Sequence, residues 1–296
     1  MVDPVPVAFA TMVRNEPIFL PIWINHYARL VPKSQLFILF DGGDQDIPPE
    51  AEGCQALVLP RGAIAAGWER RRWSMLADLA AMLLARFDVV VLHDVDELIV
   101  ADPQITSDPL ATLLTARERG VISPFGVEII HRTDLETSSF DPARPVLDQR
   151  SHARVNASYS KPCILGVPVR WSPGGHYASH QTLDIDPALY LFHLRFMDRD
   201  LLLERQASRN TFMGEAPEDD EAPAGNGWSR DQTEIIDFLD SFVAKGKPQT
   251  TDFRFDWQRE RIRSDWSFDA AEGIWRHGKL HNRKTYLIPE RFRSAF

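Results

Sequence analysis

Between Trp73 and Leu92 the chain leaves few folds open. Leu76, Leu79, Ala80, Leu83, Leu84 and Phe87 fall at i, i+3, i+4, i+7, i+8 and i+11. This continuous apolar stripe at the helical period predicts an amphipathic helix over Trp73–Phe87. Val89-Val90-Val91-Leu92 follows directly, a run typical of a strand covered on both faces of a sheet. The same alternation runs upstream. Val5–Met12 reads as a buried strand, Ile18–Leu30 as a helix carrying Trp23 and Tyr27, Gln35–Phe40 as a second strand and Ala56–Leu59 as a third. Asp41-Gly42-Gly43-Asp44 ends the second strand in a turn. Strand–helix–strand alternation predicts an α/β fold with a mainly parallel sheet flanked by helices.

The character changes past residue 205. Gly214–Gly227 carries five acids among prolines, alanines and glycines and reads as an acidic loop. Thr233–Val243 reads as a helix with Ile235, Ile236, Leu239 and Val243 on one face, and the tail sets Trp257, Trp266 and Trp275 among arginines. Residues 1–205 are therefore expected to form the main domain, and residues 206–296 a helical and irregular extension packed on it.

Charge and composition narrow the partners. With 33 basic and 42 acidic residues the formal charge is −9. That balance sets aside a protein that coats DNA or RNA, which needs clustered cations, and a polybasic membrane anchor. Cys54 and Cys163 show no paired or metal-type spacing and read as small thiols in a reducing compartment. The start shows no basic region followed by an apolar core, and no window approaches ~18 uninterrupted apolar residues. A cytoplasmic protein without a transmembrane segment is the expectation.

The residues that carry chemistry begin where the apolar strand ends, at His93-Asp94-Val95-Asp96-Glu97. In open α/β sheets, ligands bind beyond the carboxyl ends of the strands. Two carboxylates at i and i+2 there can converge on one hard divalent cation such as Mg²⁺ or Mn²⁺, which keeps open positions for phosphate oxygens. A solvated acidic turn is the alternative.

A D-x-D at the end of a central strand resembles the metal-binding motif of GT-A-fold glycosyltransferases, and the run L-H-D-V-D-E-L-I resembles the signature of their family-2-like and family-92-like branch. Met12-Val13-Arg14-Asn15-Glu16 and Leu20-Pro21-Ile22-Trp23-Ile24-Asn25-His26-Tyr27 resemble that branch's K-N-E … L-x-E-W-I-x-x-H opening. Phe37–Asp44 resembles its second strand and turn. Lys161-Pro162-Cys163-Ile164 with Gly174-Gly175-His176-Tyr177, and later Phe192-His193-Leu194-Arg195, resemble its K-x-I-x-R-P … G-x-H and H-Y-R elements. Arg14 stands for the more usual lysine, Pro21 for an acid, and Gly42-Gly43 for Asn-x-Ser; these departures touch donor recognition, not class.

The resemblance implies a GT-A-like nucleotide-sugar-binding and catalytic domain over residues 1–205 that transfers a sugar from a nucleoside-diphosphate-sugar, with inversion, to a glycan, lipid-linked or small-molecule hydroxyl. Arg14, Asn15 and Glu16 would border the nucleotide, or cap the following helix. Asp41 and Gly42 would meet base or ribose, or only make the turn. Asp94 would lie near ribose and metal, Asp96 would be the main ligand for Mn²⁺ or Mg²⁺, and Glu97 would orient the loop. Arg72 would approach the pyrophosphate, or belong to a solvated helix face, and Lys161 would add a second cation. His176 would complete the metal shell or touch a phosphate, or be structural. Inversion needs a general base, for which Glu128 and Asp198 are the candidates, Asp198 being also a possible helix N-cap. A nucleotidyltransferase and a non-catalytic carbohydrate- or nucleotide-binding module are the rival readings; the former normally brings a glycine-rich phosphate loop, which the sequence lacks.

Overall fold

In the computed structural model, which describes residues 6–62, 64–215, 230–281 and 283–296, the apolar runs of the N-terminal part form parallel strands separated by helices. β1 (Val7–Val13) leads through α1 (Phe19–Tyr27) to β2 (Leu36–Asp41), then to β3 (Gln55–Leu59), α2 (Trp68–Leu84) and β4 (Val89–Leu92). β2 pairs with β1 and β3, and β4 joins the other edge of β1, all parallel, in the order β3-β2-β1-β4. Side chains alternate across this sheet as strand geometry requires. Val7, Phe9, Ile38 and Val91 pack with Phe19, Trp23 and Tyr27 of α1 on one face. Ala8, Ala10, Leu39 and Val90 pack with Trp73, Leu76, Ala80 and Leu83 of α2 on the other. The stripe read in the sequence is thus the face that α2 lays on the sheet.

The sheet becomes mixed beyond β4. There follow β5 (Glu97–Ala101), the short helices α3 (Pro109–Leu114) and α4 (Ala116–Arg119), the fully buried β6 (Val121–Ile130), α5 (Val146–Gln149), β7 (His152–Val155), β8 (Ile164–Leu165) and β9 (Ile185–Phe196). β8 pairs antiparallel with β4 and β6, β7 with β6, and β5 with β9, while β6 and β9 run parallel. The expectation of a mainly parallel sheet therefore describes the β3-β2-β1-β4 half. Parallel neighbours need a crossover, usually a helix, and between β6 and β9 the chain offers no α-helix longer than α5.

The segments after β9 complete the core. α6 (Arg199–Met213) follows directly on β9, and α7 (Gln232–Val243) starts in a capping box of Asp231 and Glu234. Of the acidic loop Gly214–Gly227, residues 216–227 lie outside the described residues. α8 (Asp256–Ser264), the hairpin of β10 (Ser267–Asp269) and β11 (Ile274–Arg276), and β12 (Tyr286–Leu287) end the fold, with β12 antiparallel to β7. Phe253, Phe255, Ile262 and Phe292 enter the same apolar cluster as Phe125, Tyr190 and Phe192. Among the described residues no helix is long and apolar enough to cross a membrane.

Phe292 tests this shared core. It is 1% exposed, with Tyr190, Phe192 and Phe253 ring centroids 5.5–5.7 Å away. Phe292→Ala is expected to lower unfolding free energy by about 3–5 kcal/mol in urea denaturation. A loss under about 1 kcal/mol, the scale of surface substitutions, would show that the tail is not part of the core.

Candidate functional site

The chain adds β2 and β3 on one side of β1 and then returns to place β4 on the other. Such a reversal leaves a crevice past the carboxyl ends of the two central strands, here β1 and β4. A cleft of ≈ 680 Å³ opens there, within the range of small-molecule sites. Strand ends explain its lining: Arg14, Asn15 and Glu16 follow β1, Asp41 ends β2, and Asp94 and Asp96 follow β4. Asn15 turns the chain out of β1 at φ 50, a left-handed conformation that asparagine tolerates better than most residues. Its N–H donates to Gln45 Oε1 at 3.0 Å.

The D-x-D loop is locked from below. His93 is buried, its Nδ1 donates to the Asp94 carbonyl (2.9 Å), and its Nε2 accepts from the Tyr27 hydroxyl (2.7 Å). Tyr27 in turn accepts from the Ile99 N–H at 2.9 Å. Asp94 is held on both oxygens: Oδ1 accepts from Arg72 Nη2 at 2.7 Å and Oδ2 from Lys161 Nζ at 2.9 Å. Lys161 also reaches Glu97 Oε1 at 2.5 Å. Burial opposes charge on Asp94, yet Lys161 and Arg72 hold its carboxyl well below the usual range. Burial likewise opposes charge on Lys161, and Asp94 and Glu97 keep it cationic.

Asp96 belongs to a second network. Its Oδ2 accepts from Arg205 Nη1 at 3.2 Å, with His193 Nε2 at 3.9 Å and Arg209 Nη2 at 4.0 Å. Although burial pushes the other way, His193, Arg205 and Arg209 hold the carboxyl down at about 2. Arg205 also pairs with Glu16, whose carboxyl burial pushes up and Arg205 pulls back.

The structure brings Arg14, Asn15, Glu16, Asp41, Arg72, Asp94, Asp96, Lys161 and His176 to one cleft. His176 donates from Nδ1 to the Ser158 carbonyl at 2.7 Å, and burial, with Lys161, lowers its pKa to about 3, so the imidazole is neutral. Arg14 donates to Asp44 at 2.9 and 3.0 Å and to the Asp41 carbonyl, clamping the β2 turn onto the end of β1. Gly42 does not line the cleft; at φ 102 a Cβ there would collide with Asp44 and Arg14, so this glycine permits the clamp.

Neither candidate base faces the cleft. Glu128 lies within β6, wholly buried, its carboxylate held by Arg154 Nε at 2.6 Å and His193 Nδ1 at 2.8 Å. Asp198 caps α6 through Asp200 and Leu201 N–H and pairs with buried Arg150 at 2.5 Å, so the helix-cap alternative is the one the fold adopts. The side chain that does reach the cleft from Glu128 is His193, with Tyr159 stacked on it at 3.8 Å. Arg205 and Arg209 are site residues that sequence reasoning passed over, while His193 entered it only as part of the H-Y-R element, without a role. The spacing of Arg205 and Arg209, one helical turn apart, was the available signal.

The donor chemistry fits a divalent ion in one way. Asp94 and Asp96 offer hard oxygens on the same cleft, and Mg²⁺ sites commonly use one or two carboxylates and finish their shell with substrate phosphates. Among the described residues no three His, Cys, Asp or Glu side chains converge as a metal site, so His176 does not join the two aspartates as a third ligand.

No family model matches the chain, and no curated protein matches it. A crystal structure of a mycobacterial protein is similar at 14% identity, covering 96% of this chain and 84% of that one, with a TM-score of 0.35. That level of superposition carries no argument about function.

Glu128 gives a stability test. Its carboxyl lies at about 2 in the fold because Arg154 and His193 outweigh burial, against 4.5 ordinarily. A depressed folded pKa stabilises fully above pH 4.5 and loses that contribution as pH falls toward 2, roughly 3 kcal/mol in all. Urea midpoints of the wild type should fall through this window, and Glu128→Gln should show a shallower fall. Parallel profiles would refute the ion-pair reading.

Proposed function

We propose that the chain is a GT-A-like glycosyltransferase that moves a sugar from a nucleoside-diphosphate donor to an acceptor hydroxyl, with inversion. The supporting observation is a coincidence at the β1–β4 switch point: the D-x-D after β4 shares one cleft with Arg14, Asn15 and Glu16 after β1 and with Arg205 and Arg209 from α6. Seven Arg and Lys side chains line that cleft, matched by seven Asp and Glu, whereas the chain as a whole is acidic by 42 to 33. The cleft is therefore less hostile to an anion than the surface around it.

Asn15 and Asp41 border the nucleoside, and Arg205 and Arg209 hold the diphosphate from the α6 side. Asp94 and Asp96 would hold Mn²⁺ or Mg²⁺ with the donor's phosphates, where such an ion neutralises charge developing on the leaving diphosphate. The acceptor, a glycan, lipid-linked or small-molecule hydroxyl, loses its proton to His193 Nε2. His193 Nδ1 remains on Glu128, which fixes the tautomer. As the acceptor oxygen bonds to the anomeric carbon, the bond from that carbon to the diphosphate oxygen breaks, and its electron pair leaves with the diphosphate.

Thermal-shift measurements with UDP-, GDP- and dTDP-sugars, with and without Mn²⁺, test the class. One sugar nucleotide should stabilise the chain in a metal-dependent way, by about 2.7 kcal/mol at 100 times its Kd, and Asp96→Ala should lose the metal-dependent part. Equal stabilisation by nucleoside triphosphates would favour nucleotidyl transfer. Saccharide binding with no nucleotide effect would favour a binding module.

His193→Gln should lower kcat by about 10²–10⁴ while leaving the donor-induced thermal shift in place. A kcat within about twofold of wild type, against the loss expected of a general base, would remove His193 from the chemistry.

A further inference from the structure

Aromatic rings run without a break from the cleft to the β10–β11 hairpin. Tyr159, on the cleft wall, lies 5.8 Å from His176, which lies 6.5 Å from Tyr177; Tyr177 is 5.1 Å from His277, and His277 is 6.4 Å from Trp266. Trp275 follows at 5.9 Å and Phe268 lies 5.3 Å beyond it. At the outer end, Trp275 and His277 lie within 18° and 25° of the Trp266 plane. Their centroid separations are those of offset rings, not of a closed face-to-face pile. Phe268 is 51% exposed, and Trp266 and Trp275 are only partly buried.

The hairpin holds these rings in place. Trp275 N–H donates to the Ala178 carbonyl at 2.9 Å and Trp266 Nε1 to the Gln181 carbonyl at 2.8 Å. Arg70 of α2 pairs with Glu272 in the hairpin turn at 2.8 Å, one residue from Glu69 of the cleft wall. Charges beside the rings are matched: Arg276 meets Asp269 at 3.0 Å, and Arg261 meets Asp265.

We propose that Trp266, Trp275 and Phe268 form a subsite for a neutral pyranose of a saccharide acceptor whose reacting end lies in the cleft. The proposal rests on the glycosyl-transfer reading and adds the acceptor class to it. A pyranose presents a face of C–H groups carrying small positive charge, which complements the negative face of an aromatic ring. Its hydroxyls project at the edge, where Asp269 and Arg276 supply an acceptor and donors. A charged polymer gains little from a rim whose ions are already compensated. The Arg70–Glu272 pair sets the hairpin turn next to the helix residue that precedes Arg70, Glu69 of the cleft wall, a proximity that an isolated surface patch would lack.

The test uses the full chain and three neutral probes: cellohexaose, maltohexaose and chitohexaose. At least one should shift tryptophan fluorescence saturably below about 10 mM, a weak carbohydrate affinity of roughly 3 kcal/mol. Phe268→Ala, at a half-exposed position, should weaken that binding roughly three- to tenfold. Trp257→Ala, on α8 and 66% exposed, serves as the control and should not weaken it. Absence of binding by all three probes, or equal binding by wild type and Phe268→Ala, overturns the subsite. Nucleoside-diphosphate binding is measured on the same sample. Nucleotide binding without saccharide binding sinks the subsite alone, and saccharide binding without nucleotide binding leaves a saccharide site but overturns its acceptor role together with the transferase reading.

Discussion

The cleft depends on one half-buried carboxylate. Asp94 joins three segments distant in sequence: its own loop after β4, Arg72 on the first turns of α2, and Lys161 ahead of β8. Lys161 is 1% exposed, and a buried cation is tolerable only where paired and hydrogen-bonded. Asp94 and Glu97 together meet that condition. Trp73 and Tyr159, at 5.6 and 5.8 Å from Nζ, add aromatic faces that favour the charge. Desolvation makes such a network weak evidence for stability. Its visible effect is geometric: the three segments meet at one carboxylate, which both Arg72 and Lys161 reach.

The second network works on the same principle from the other wall. Arg205 lies between Asp96 and Glu16, so α6 is tied to the ends of β4 and β1 at once. On the glycosyl-transfer reading proposed above, an incoming diphosphate would find its cations already in place and held by carboxylates, and would compete for them. Preorganised charge of this sort needs little reorganisation when the ligand arrives.

Much of this was legible in the sequence, and the part that was not has a common cause. Strand ends are readable because a β-branched run followed by Asp94-Val95-Asp96 has one natural place in an α/β sheet. Arg72 and Lys161 were readable as cations of the site, although not as partners of Asp94. Asp198, read as base or helix cap, takes the cap; Glu128 was misjudged because a carboxylate near a strand end reveals nothing about the face it turns to. β6 is buried along its whole length, which turns Glu128 inward to Arg154 and His193. Arg205 and Arg209 were missed for the opposite reason: arginines one turn apart on a polar helix normally face solvent. Here the helix continues to Met213 and lays that face on the cleft.

The fold also divides the labour of the site by position in the chain. Groups assigned to the nucleotide come from strand ends of the first hundred residues, each fixed by a sheet whose central strands are buried on both faces. The arginines of α6 and the aromatic hairpin come from segments added after β9. Those later segments are anchored by backbone pairing, β12 on β7 and Trp275 on Ala178, and by side chains, Phe253 and Phe292 in the core, Arg205 at the cleft and Glu272 on Arg70. Their buried residues, Ile235, Leu239, Phe242, Ile262 and Ile274 among them, face inward, while Trp257, Phe268 and Leu287 stay exposed. On the proposed reading, a scaffold built this way keeps one arrangement for a diphosphate while the exposed side of its hairpin is free to vary with the acceptor. The exposure of Phe268, beside a Trp275 whose backbone is fixed to Ala178, is the local expression of that freedom.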